Sequence, residues 1–416
     1  MSGNRFVVLS CVFPPEPVTS AQTSARIAEQ LVAQGHPVLV VTSFPSRPGG
    51  RLHAGFTQLP FERKKAAAGF DLLRCYSFPS LTSSLFSRWL ENVSFGMTSA
   101  LAVLLTPGLR AVYANTWPIF AQGIIGLVCR MRRIPLVLSV QDIYPESLMV
   151  QNRVRGEHSW TFRLLKWMDA AIARNSRALI VISERFRGFY IHDRKLPADR
   201  IHAVPNWTDE DELIANPPNN PIRAMHGIPE DAFLMVYGGN VGAAAGVDAI
   251  VRAFTQILEQ EKIYLLIAGD GSEFENCQRI GRTAVMERII FHRPWAREET
   301  STVLGAADVC ILSTQGSQSL VSVPSKLISY MLASRPVAAL ALPESEVAAI
   351  VSESGCGWVI PPGKPESLAE LILRISRLPE SERSRRGKAG RDFALAHYSK
   401  RANLQKVITI LESAVV

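Results

Sequence analysis

The sequence contains no uninterrupted apolar run of about 20 residues, the length that a membrane-crossing helix needs. We therefore expect no membrane-spanning segment. The apolar stretch near the start is also shorter than the usual layout of a secretory signal peptide requires, so secretion is not expected.

Cysteine is scarce and has no regular spacing. Six cysteines occur in 416 residues, none in a Cys-x-x-Cys pair, and most have apolar neighbours. This usage is typical of buried free thiols in a reducing compartment. The sequence therefore predicts a cytoplasmic protein without disulfides.

Patterns for binding metals and nucleic acids are also missing. The eight histidines are dispersed, and we interpret the acidic run at 209–212 as part of a linker. The surplus of 45 Lys+Arg over 37 Asp+Glu forms no aromatic-interleaved basic stripe. We expect no metal and no nucleic-acid partner. A net charge of +8 suits anionic small molecules or an anionic membrane surface.

Length and patterning indicate two α/β domains. A chain of 416 residues exceeds what one hydrophobic core usually supports. Near-continuous apolar runs alternate with helical patterns, which predicts parallel sheets covered on both faces. We expect two doubly wound, Rossmann-like domains facing a cleft, at 1–208 and 209–394, because the composition shifts to acidic, Pro- and Asn-rich residues after 208. The predicted strands are 6–13, 37–42, 70–76, 111–114, 135–140, 178–182, 200–204, 233–237, 264–268, 288–291, 309–312, 337–341 and 357–360.

Two segments in the second half have residues that favour phosphate binding. The apolar run at 233–237 leads into a small-residue loop containing Gly239 and Asn240, and such loops let the backbone approach phosphates closely. Farther along, Ser325 can cap an apolar helix and Lys326 places a cation in its first turn. A cation there opposes the helix dipole, which indicates an anionic ligand such as a diphosphate.

Short motifs also follow one another in a recognisable order. They are Phe13-Pro14-Pro15-Glu16, Ile182-Ser183-Glu184, Pro205-Asn206-Trp207, Ala268-Gly269-Asp270-Gly271 and Ala306-Ala307-Asp308. In this order, over nearly the whole chain, they resemble the retaining glycosyltransferases of family 4, which have the GT-B fold. The segments Gln141-Asp142-Ile143-Tyr144-Pro145-Glu146 and Pro324-Ser325-Lys326 are most similar to the bacterial subgroup that assembles exopolysaccharides, colanic acid and O-antigens.

The resemblance implies a transferase whose donor is a nucleoside-diphosphate sugar and which needs no metal. It also implies that a C-terminal helix at 395–416 packs back on the N-terminal domain. The donor-binding residues that it implies are Gly239, Asn240, Gly269, Asp270, Pro324, Ser325 and Lys326.

The chain departs from the family pattern near the donor. Many members have two glutamates with seven residues between them, and the corresponding positions here are Val321 and Ser329. The loop at 242–246 also lacks the family's usual basic residues. We expect Lys326 to supply the countercharge for the diphosphate instead.

Three carboxylates of the first domain are the candidate catalytic or acceptor-orienting residues. Glu16, Asp142 and Glu146 all lie in loops that follow predicted strands. Asp142 and Glu146 flank Pro145, and their alternative role is to cap the next helix. His36 precedes a strand in a Gly-His turn, where packing is the expected role.

The resemblance further implies a lipid-linked saccharide acceptor and a peripheral enzyme on the inner face of the cytoplasmic membrane. The apolar stretch 85–105 and the basic Arg63-Lys64-Lys65 offer insertion and electrostatic attraction to an anionic surface. The alternative is that 85–105 is a buried crossover helix. Two other functions stay open at this point, a non-catalytic nucleotide-binding scaffold and a sugar-nucleotide epimerase.

Overall fold

The computed structural model describes residues 5–16, 18–47, 50–79, 85–115, 119–146, 156, 159–213, 215, 220–242, 245–257, 262–282, 287–314 and 325–415. The chain forms two compact units. The first contains Met1–Pro205 and Leu404–Val416, and the second contains Asn206–Asn403. The sequence placed the corresponding boundaries after 208 and after 394.

The first unit is built on an eight-stranded sheet in the order β3-β4-β2-β1-β5-β6-β7-β8. All neighbouring strands are parallel except β3, which runs antiparallel to β4 at the edge. The central strands are buried throughout because they are apolar on both faces. The strands are β1 (Arg5–Leu9), β2 (Val38–Ser43), β3 (Phe61–Lys65), β4 (Asp71–Cys75), β5 (Leu109–Asn115), β6 (Leu136–Val140), β7 (Ala178–Val181) and β8 (Ile201–Ala203).

Five helices connect these strands. They are α1 (Thr19–Ala33), α2 (Leu85–Leu105), α3 (Ile119–Met131), α4 (Trp160–Asn175) and α5 (Glu184–His192). One buried cluster joins α2, α3, α4 and α5 to the same face of the sheet, through residues such as Phe95, Ile125 and Tyr190. Within the described ranges, no helix is long and apolar enough to cross a bilayer.

The second unit is built on a parallel six-stranded sheet in the order β11-β10-β9-β12-β13-β14. Its strands are β9 (Phe233–Gly238), β10 (Ile263–Ala268), β11 (Ile289–His292), β12 (Val309–Ser313), β13 (Val337–Leu340) and β14 (Gly357–Ile360). Its helices are α6 (Ile222–Met225), α7 (Val247–Phe254), α8 (Phe274–Arg282), α9 (Thr300–Gly305), α10 (Ser325–Leu332), α11 (Glu346–Ser354), α12 (Pro365–Ser376) and α13 (Glu380–Tyr398). Two buried clusters cover the two faces of this sheet. The prediction of a doubly wound α/β fold is confirmed.

The last helix, α14 (Lys400–Ser413), returns to the first unit. Glu412 Oε1 lies 2.9 Å from His36 Nε2, and Gln405 accepts a hydrogen bond from Gln34. The His36 ring also packs edge-on against Phe6 at 5.0 Å, which confirms its packing role. The segment 395–416 is not one helix, because residues up to Tyr398 belong to α13, which packs closely on the second unit through Gly387 and Gly390.

None of the six cysteines forms a disulfide, as predicted, and five of them are buried, whereas Cys11 is partly exposed. Each predicted strand overlaps an observed one, whereas β3 was not predicted. Its sequence, Phe-Glu-Arg-Lys-Lys, is mostly charged, and charged residues are common on edge strands because they discourage pairing with other chains.

Candidate functional site

The loop after β9 and the start of α10 meet at the side chain of Lys326. Lys326 Nζ donates to the Tyr237 hydroxyl and lies 3.2 Å from the carbonyl oxygen of Asn240. It also lies 4.4 Å from the centre of the Tyr237 ring. A Cβ atom built on Gly239 would come within 2.2 Å of Lys326 Cε, so a larger residue there would displace the end of this lysine side chain. The structure therefore brings together Gly239, Asn240 and Lys326.

A tyrosine one turn farther along α10 fixes this arrangement. The hydroxyl of buried Tyr330 donates to the Gly238 carbonyl oxygen at 3.0 Å and accepts from the Gly238 amide at 2.9 Å. Since Gly238 is the last residue of β9, Tyr330 ties the helix to the carboxyl end of that strand. Lys326 is thus held by a rigid contact between helix and strand.

Gly269 and Asp270 lie in the neighbouring loop, after β10. Gly269 has a φ of +140°, and a Cβ built there would come within 2.0 Å of the Gly239 carbonyl oxygen. The Val241 amide donates to the Asp270 carbonyl oxygen at 2.9 Å, which joins the two loops. The Asp270 carboxylate is exposed and lies 3.4 Å from Arg293. The close approach of the backbones explains why both loops are rich in glycine.

Burial makes Lys326 a weak base for a lysine. It lowers the pKa of the Lys326 ammonium from its ordinary 10.5 to about 8. None of its described contacts is a carboxylate, since its nitrogen meets a phenol, a carbonyl oxygen and an aromatic face. A partly buried cation without a counterion is suited to an anionic ligand, which would supply the missing charge.

Pro324 and Ser325 are the other two predicted donor residues. Pro324 lies outside the described residues. Ser325 is exposed and is the first described residue of α10, within the helix. Its carbonyl oxygen accepts from the Ser329 hydroxyl at 3.2 Å.

In the first unit, Glu16 is buried and its carboxylate contacts backbone amides. One oxygen accepts from the Phe13 amide at 3.1 Å, and the other accepts from the amides of Ser46 and Arg47 at 2.9 Å each. Buried Arg74 links the same loops by donating to the carbonyl oxygens of Ser43 and Pro14. These contacts fasten the loops after β1 and β2, which favours a positioning role for Glu16 over contact with substrate.

Asp142 and Glu146 both lie in the loop after β6, but in different surroundings. Asp142 is partly exposed to solvent, yet burial of its carboxyl group raises its pKa above the ordinary value. Glu146 accepts from Arg194 Nη2 at 2.7 Å. Of the three carboxylates that we predicted, Asp142 is the one whose described surroundings leave it available to an acceptor.

Arg194 is the centre of a buried polar cluster. Its side chain is fully buried and donates to Asp169 at 2.7 Å and to the Tyr144 carbonyl oxygen at 2.7 Å, in addition to Glu146. Tyr190 donates to the other oxygen of Asp169 at 3.0 Å. Burial raises the pKa of Asp169 to about 6, against the opposing effect of Arg194. The cluster holds the segment from Tyr144 to Glu146 against α4 and α5.

A small recess adjoins this cluster. Asp169, Tyr190 and Gln122 line it, and it has room for about one water molecule. Within the part of the chain that the structure describes, neither polar atom of the buried Gln122 amide has a hydrogen-bond partner. The recess is therefore suited to a structural water and not to a sugar.

The acidic run at 209–212 contains an Asp-x-Asp triplet, Asp209-Glu210-Asp211, which our linker interpretation did not consider as a metal site. Lys400 Nζ lies 2.6 Å from the Asp209 carboxylate and 3.9 Å from that of Asp211. Glu210 accepts from the amides of Lys400 and Arg401. Among the described residues, no cluster of His, Cys, Asp or Glu is arranged to hold a metal.

Sequence reasoning missed the residues that position the site. Tyr237, Tyr330, Arg74 and Arg194 act through contacts with residues far away in the chain, and no local pattern marks such contacts. The signal that was available is chemical, because an arginine or tyrosine in an otherwise apolar run needs a polar partner when buried.

Comparisons with known proteins agree with this architecture. The "Glycosyl transferase 4-like domain" family matches residues 19–207, and the "Glycosyl transferases group 1" family matches residues 232–377. The chain is 27% identical to "Probable glycosyltransferase WbjE" of Pseudomonas aeruginosa over 80% of its length and 82% of that protein. It is 18% identical to "Putative colanic acid biosynthesis glycosyl transferase WcaI" of Escherichia coli K12, over 79% and 81% of the two chains.

Among solved structures, the chain is similar to Anabaena Alr3699/HepE in complex with UDP-glucose. The TM-score is 0.66 at 14% identity, and the match covers 98% of this chain and 99% of that one. At this identity the likeness concerns the fold, which consists of two parallel-sheet, Rossmann-like domains. With two family matches covering both units, the chain belongs to glycosyltransferase family 4 and is a glycosyltransferase of the GT-B fold.

Proposed function

We propose that this glycosyltransferase moves a sugar, with retention of its anomeric configuration, from a nucleoside-diphosphate sugar to a lipid-linked saccharide during assembly of a bacterial surface polysaccharide. The observation that carries the donor assignment is the cation of Lys326, which is held beside the glycine loops after β9 and β10 without a carboxylate partner among its described contacts. A nucleoside diphosphate supplies the anion that this arrangement lacks.

The roles of the donor residues follow from the chemistry of transfer. The bond between the anomeric carbon and the diphosphate oxygen breaks, and negative charge grows on the diphosphate while a new bond forms to the acceptor oxygen. Lys326 and the amides of the Gly239 and Gly269 loops stabilise that charge. The acceptor hydroxyl loses its proton to an oxygen of the departing diphosphate, and no protein nucleophile takes part.

The missing paired glutamates constrain this assignment. Ser329, one of the two corresponding positions, lies one turn after Ser325 on α10 and hydrogen-bonds to the carbonyl oxygen of Ser325. A hydroxyl replaces a carboxylate there, so the donor site contains less negative charge. A single partly buried lysine then suffices for the diphosphate, which agrees with the absence of a basic residue from the described part of the loop after β9.

The proposals for the acceptor and for the cellular location are supported by similarity to a relative and by a residue of the first unit. The printed name of one relative places it in colanic acid biosynthesis. Polysaccharide units of this kind are built on lipid carriers, so we propose a peripheral enzyme at the inner face of the cytoplasmic membrane. Asp142, partly exposed after β6, is the residue we assign to orient the acceptor.

We also propose that transfer needs no metal. Lys326 supplies a fixed positive charge for the diphosphate, and the Asp-x-Asp triplet at 209–211 has Lys400 within reach of both aspartates. Activity is expected to survive excess chelator. Loss of activity with chelator and its recovery with a divalent ion would contradict the proposal.

Donor use is tested directly with a panel of nucleotide sugars. Thermal shift identifies the donor because a ligand that binds the folded state raises apparent stability by mass action. The identified donor is then incubated with bacterial lipid extract, and products are analysed by mass spectrometry. The proposal predicts free nucleoside diphosphate and a glycosylated lipid. An isomeric nucleotide sugar would indicate an epimerase, and binding without either product would indicate a scaffold.

A further inference from the structure

Exposed apolar side chains are concentrated on one layer of the first unit. Of the 16 large hydrophobic side chains that are exposed in the described residues, 11 lie on α2, α3 and α4. Trp160 is 74% exposed, Trp167 64% and Leu127 60%. A water-soluble surface rarely concentrates so many large apolar groups unless it meets a partner.

The three helices lie side by side, so these residues share one surface. Arg132, just after α3, donates to the carbonyl oxygens of Val103 and Thr106 at the end of α2. Arg130 near the end of α3 donates to Asn175 at the end of α4 at 2.8 Å. Since the ends of all three helices meet, the helices run in the same direction with α3 in the middle.

The exposed residues follow the helical repeat. On α4, Trp160, Leu164 and Trp167 are spaced i, i+4, i+7 and therefore lie on one face. On α3, Leu127 and Met131 are spaced i, i+4. The exposed apolar residues of α3 and α4 thus follow the helical repeat and are not scattered around the helices.

The exposed charges on two of the three helices, α3 and α4, are of one sign. The described basic residues of α3 and α4 are Arg130, Arg163, Lys166 and Arg174. The single acidic residue on these two helices, Asp169, is buried and paired with Arg194. No carboxylate of the described residues lies within ion-pair distance of Arg163 or Lys166.

The basic cluster Arg63-Lys64-Lys65, which we expected to attract an anionic surface, is less suited to that role. Arg63 and Lys64 lie on the edge strand β3, where Arg63 pairs with Asp71 at 2.8 Å and Lys64 pairs with Glu62 at 2.8 Å. Arg63 and Lys64 thus each have a local carboxylate partner, and Arg63 shares Asp71 with Arg5. We therefore assign the main attraction to an anionic surface to α3 and α4.

We propose that the face formed by α2, α3 and α4 docks on an anionic lipid bilayer, with Trp89, Trp160 and Trp167 at the level of the headgroups. Tryptophan suits this position because its ring is apolar and its N–H can reach water or lipid. Basic residues beside an apolar helical face favour an anionic bilayer over a neutral protein partner. The proposal rests on the proposed function, because it names where the enzyme meets its lipid-linked acceptor.

The direction of the helices places the start of the docking face at the edge of the sheet that contains Asp142. α2 and α4 each begin after the carboxyl end of a strand of the parallel sheet, β4 and β6 respectively. Trp89 and Trp160 lie near the starts of these helices. They are therefore at the same edge of the sheet as Asp142, and docking brings lipid headgroups to the edge that contains the proposed acceptor residue.

The test is flotation of the full chain with vesicles of phosphatidylcholine alone and with added phosphatidylglycerol, at low and high salt. One variant, Trp160→Ser/Trp167→Ser, removes apolar area, and another, Arg163→Gln/Lys166→Gln, removes charge. The matched controls are Met225→Ser and Arg374→Gln/Lys388→Gln, which change exposed residues of the second unit. Circular dichroism and thermal shift with the nucleotide check folding and donor binding in every variant.

We expect the wild type to float with anionic vesicles and less so at high salt. Loss of two charges lowers the binding constant by about tenfold to thirtyfold. The tryptophan variant loses binding while it retains nucleotide, and the controls behave as the wild type. Equal flotation of wild type and both variants overturns this surface but leaves the proposed function standing.

Three other outcomes are also decisive. If the wild type fails to float but binds and turns over its donor, the docking proposal fails and the transferase assignment survives. If the wild type is a dimer by light scattering and Trp160→Ser/Trp167→Ser makes it a monomer, the face is an interface between two copies. If the double tryptophan variant unfolds, the single variant Trp160→Ser, at the most exposed of these side chains, takes its place with the same expectations.

Discussion

Replacing Lys326 by methionine tests two consequences of its partly buried charge. One is tighter binding of the nucleoside diphosphate, and the other is lower stability of the free protein. Methionine is an unbranched apolar side chain of similar length, so it fills the space between Gly239 and the Tyr237 ring while it removes the charge and the hydrogen bonds of the ammonium. Loss of a charge-assisted contact to the diphosphate costs about 1.5 to 3 kcal/mol. The variant is therefore expected to bind its nucleoside diphosphate about tenfold to 150-fold more weakly.

The same change is expected to stabilise the fold. Folding lowers the pKa of Lys326 from 10.5 to about 8, so the folded protein disfavours the charged form. The free-energy cost of that charge is at most about 3 kcal/mol. Partial exposure, and loss of the hydrogen bonds to Tyr237 and Asn240, reduce the net gain to about 1 kcal/mol. Lys326→Met thus gains stability at pH 7 while it loses the ligand.

The pH dependence gives an independent check. The ligand stabilises the ammonium, so binding raises the pKa of Lys326 above its value of about 8 in the free protein. Wild-type affinity is full below pH 8 and falls by up to about tenfold per unit above it. The affinity of Lys326→Met has no such fall.

Calorimetric titration of the nucleotide between pH 6.5 and 9.5 measures both effects, with thermal unfolding of the free proteins at pH 7. The control is Lys388→Met, which makes the same chemical change at an exposed position of α13. Equal affinity of Lys326→Met and wild type, or an equal fall above pH 8 in both, would refute the role of Lys326.

Further changes test the supports of the site. Tyr330→Phe removes two hydrogen bonds to Gly238 and is expected to destabilise the fold by about 1 to 3 kcal/mol and to weaken nucleotide binding, as measured by denaturation and titration. Gly269→Ala places a methyl group against the Gly239 carbonyl and is expected to abolish nucleotide binding, whereas Gly227→Ala, at a glycine with open space, leaves it intact. Asp169→Asn removes a carboxylate from buried Arg194 and is expected to lower the free energy of unfolding by about 3 to 5 kcal/mol, and an unchanged value would contradict the role of the cluster.

The sequence was sufficient for the parts of the fold that depend on local patterns. Buried parallel strands are apolar on both faces, so β1, β9 and β10 stand out as short apolar runs between helices. The small-residue loops after β9 and β10 could be located for the same reason, because glycine marks close backbone approach. Lys326 was found because its charge is unusual in the first turn of a helix.

The supports of the site could not be predicted in this way. Tyr330 meets Gly238 across 92 residues of chain, and Arg194 meets Glu146 across 48. Such pairs depend on how the elements pack, which periodicity does not encode. Glu16 was expected at the substrate because its loop follows a strand, whereas its three backbone amide contacts became visible only in the structure.

Release of nucleoside diphosphate is the measurement that tests the central claim most directly. Wild type and Lys326→Met are incubated with the nucleotide sugar identified by thermal shift, with and without lipid extract, and the nucleotide products are resolved by chromatography and mass spectrometry. The account predicts that the wild type releases free nucleoside diphosphate only when the lipid acceptor is present, and that Lys326→Met releases at least tenfold less at subsaturating donor. Nucleotide sugar that binds but stays intact with every acceptor fraction, or equal release by both proteins, would contradict it.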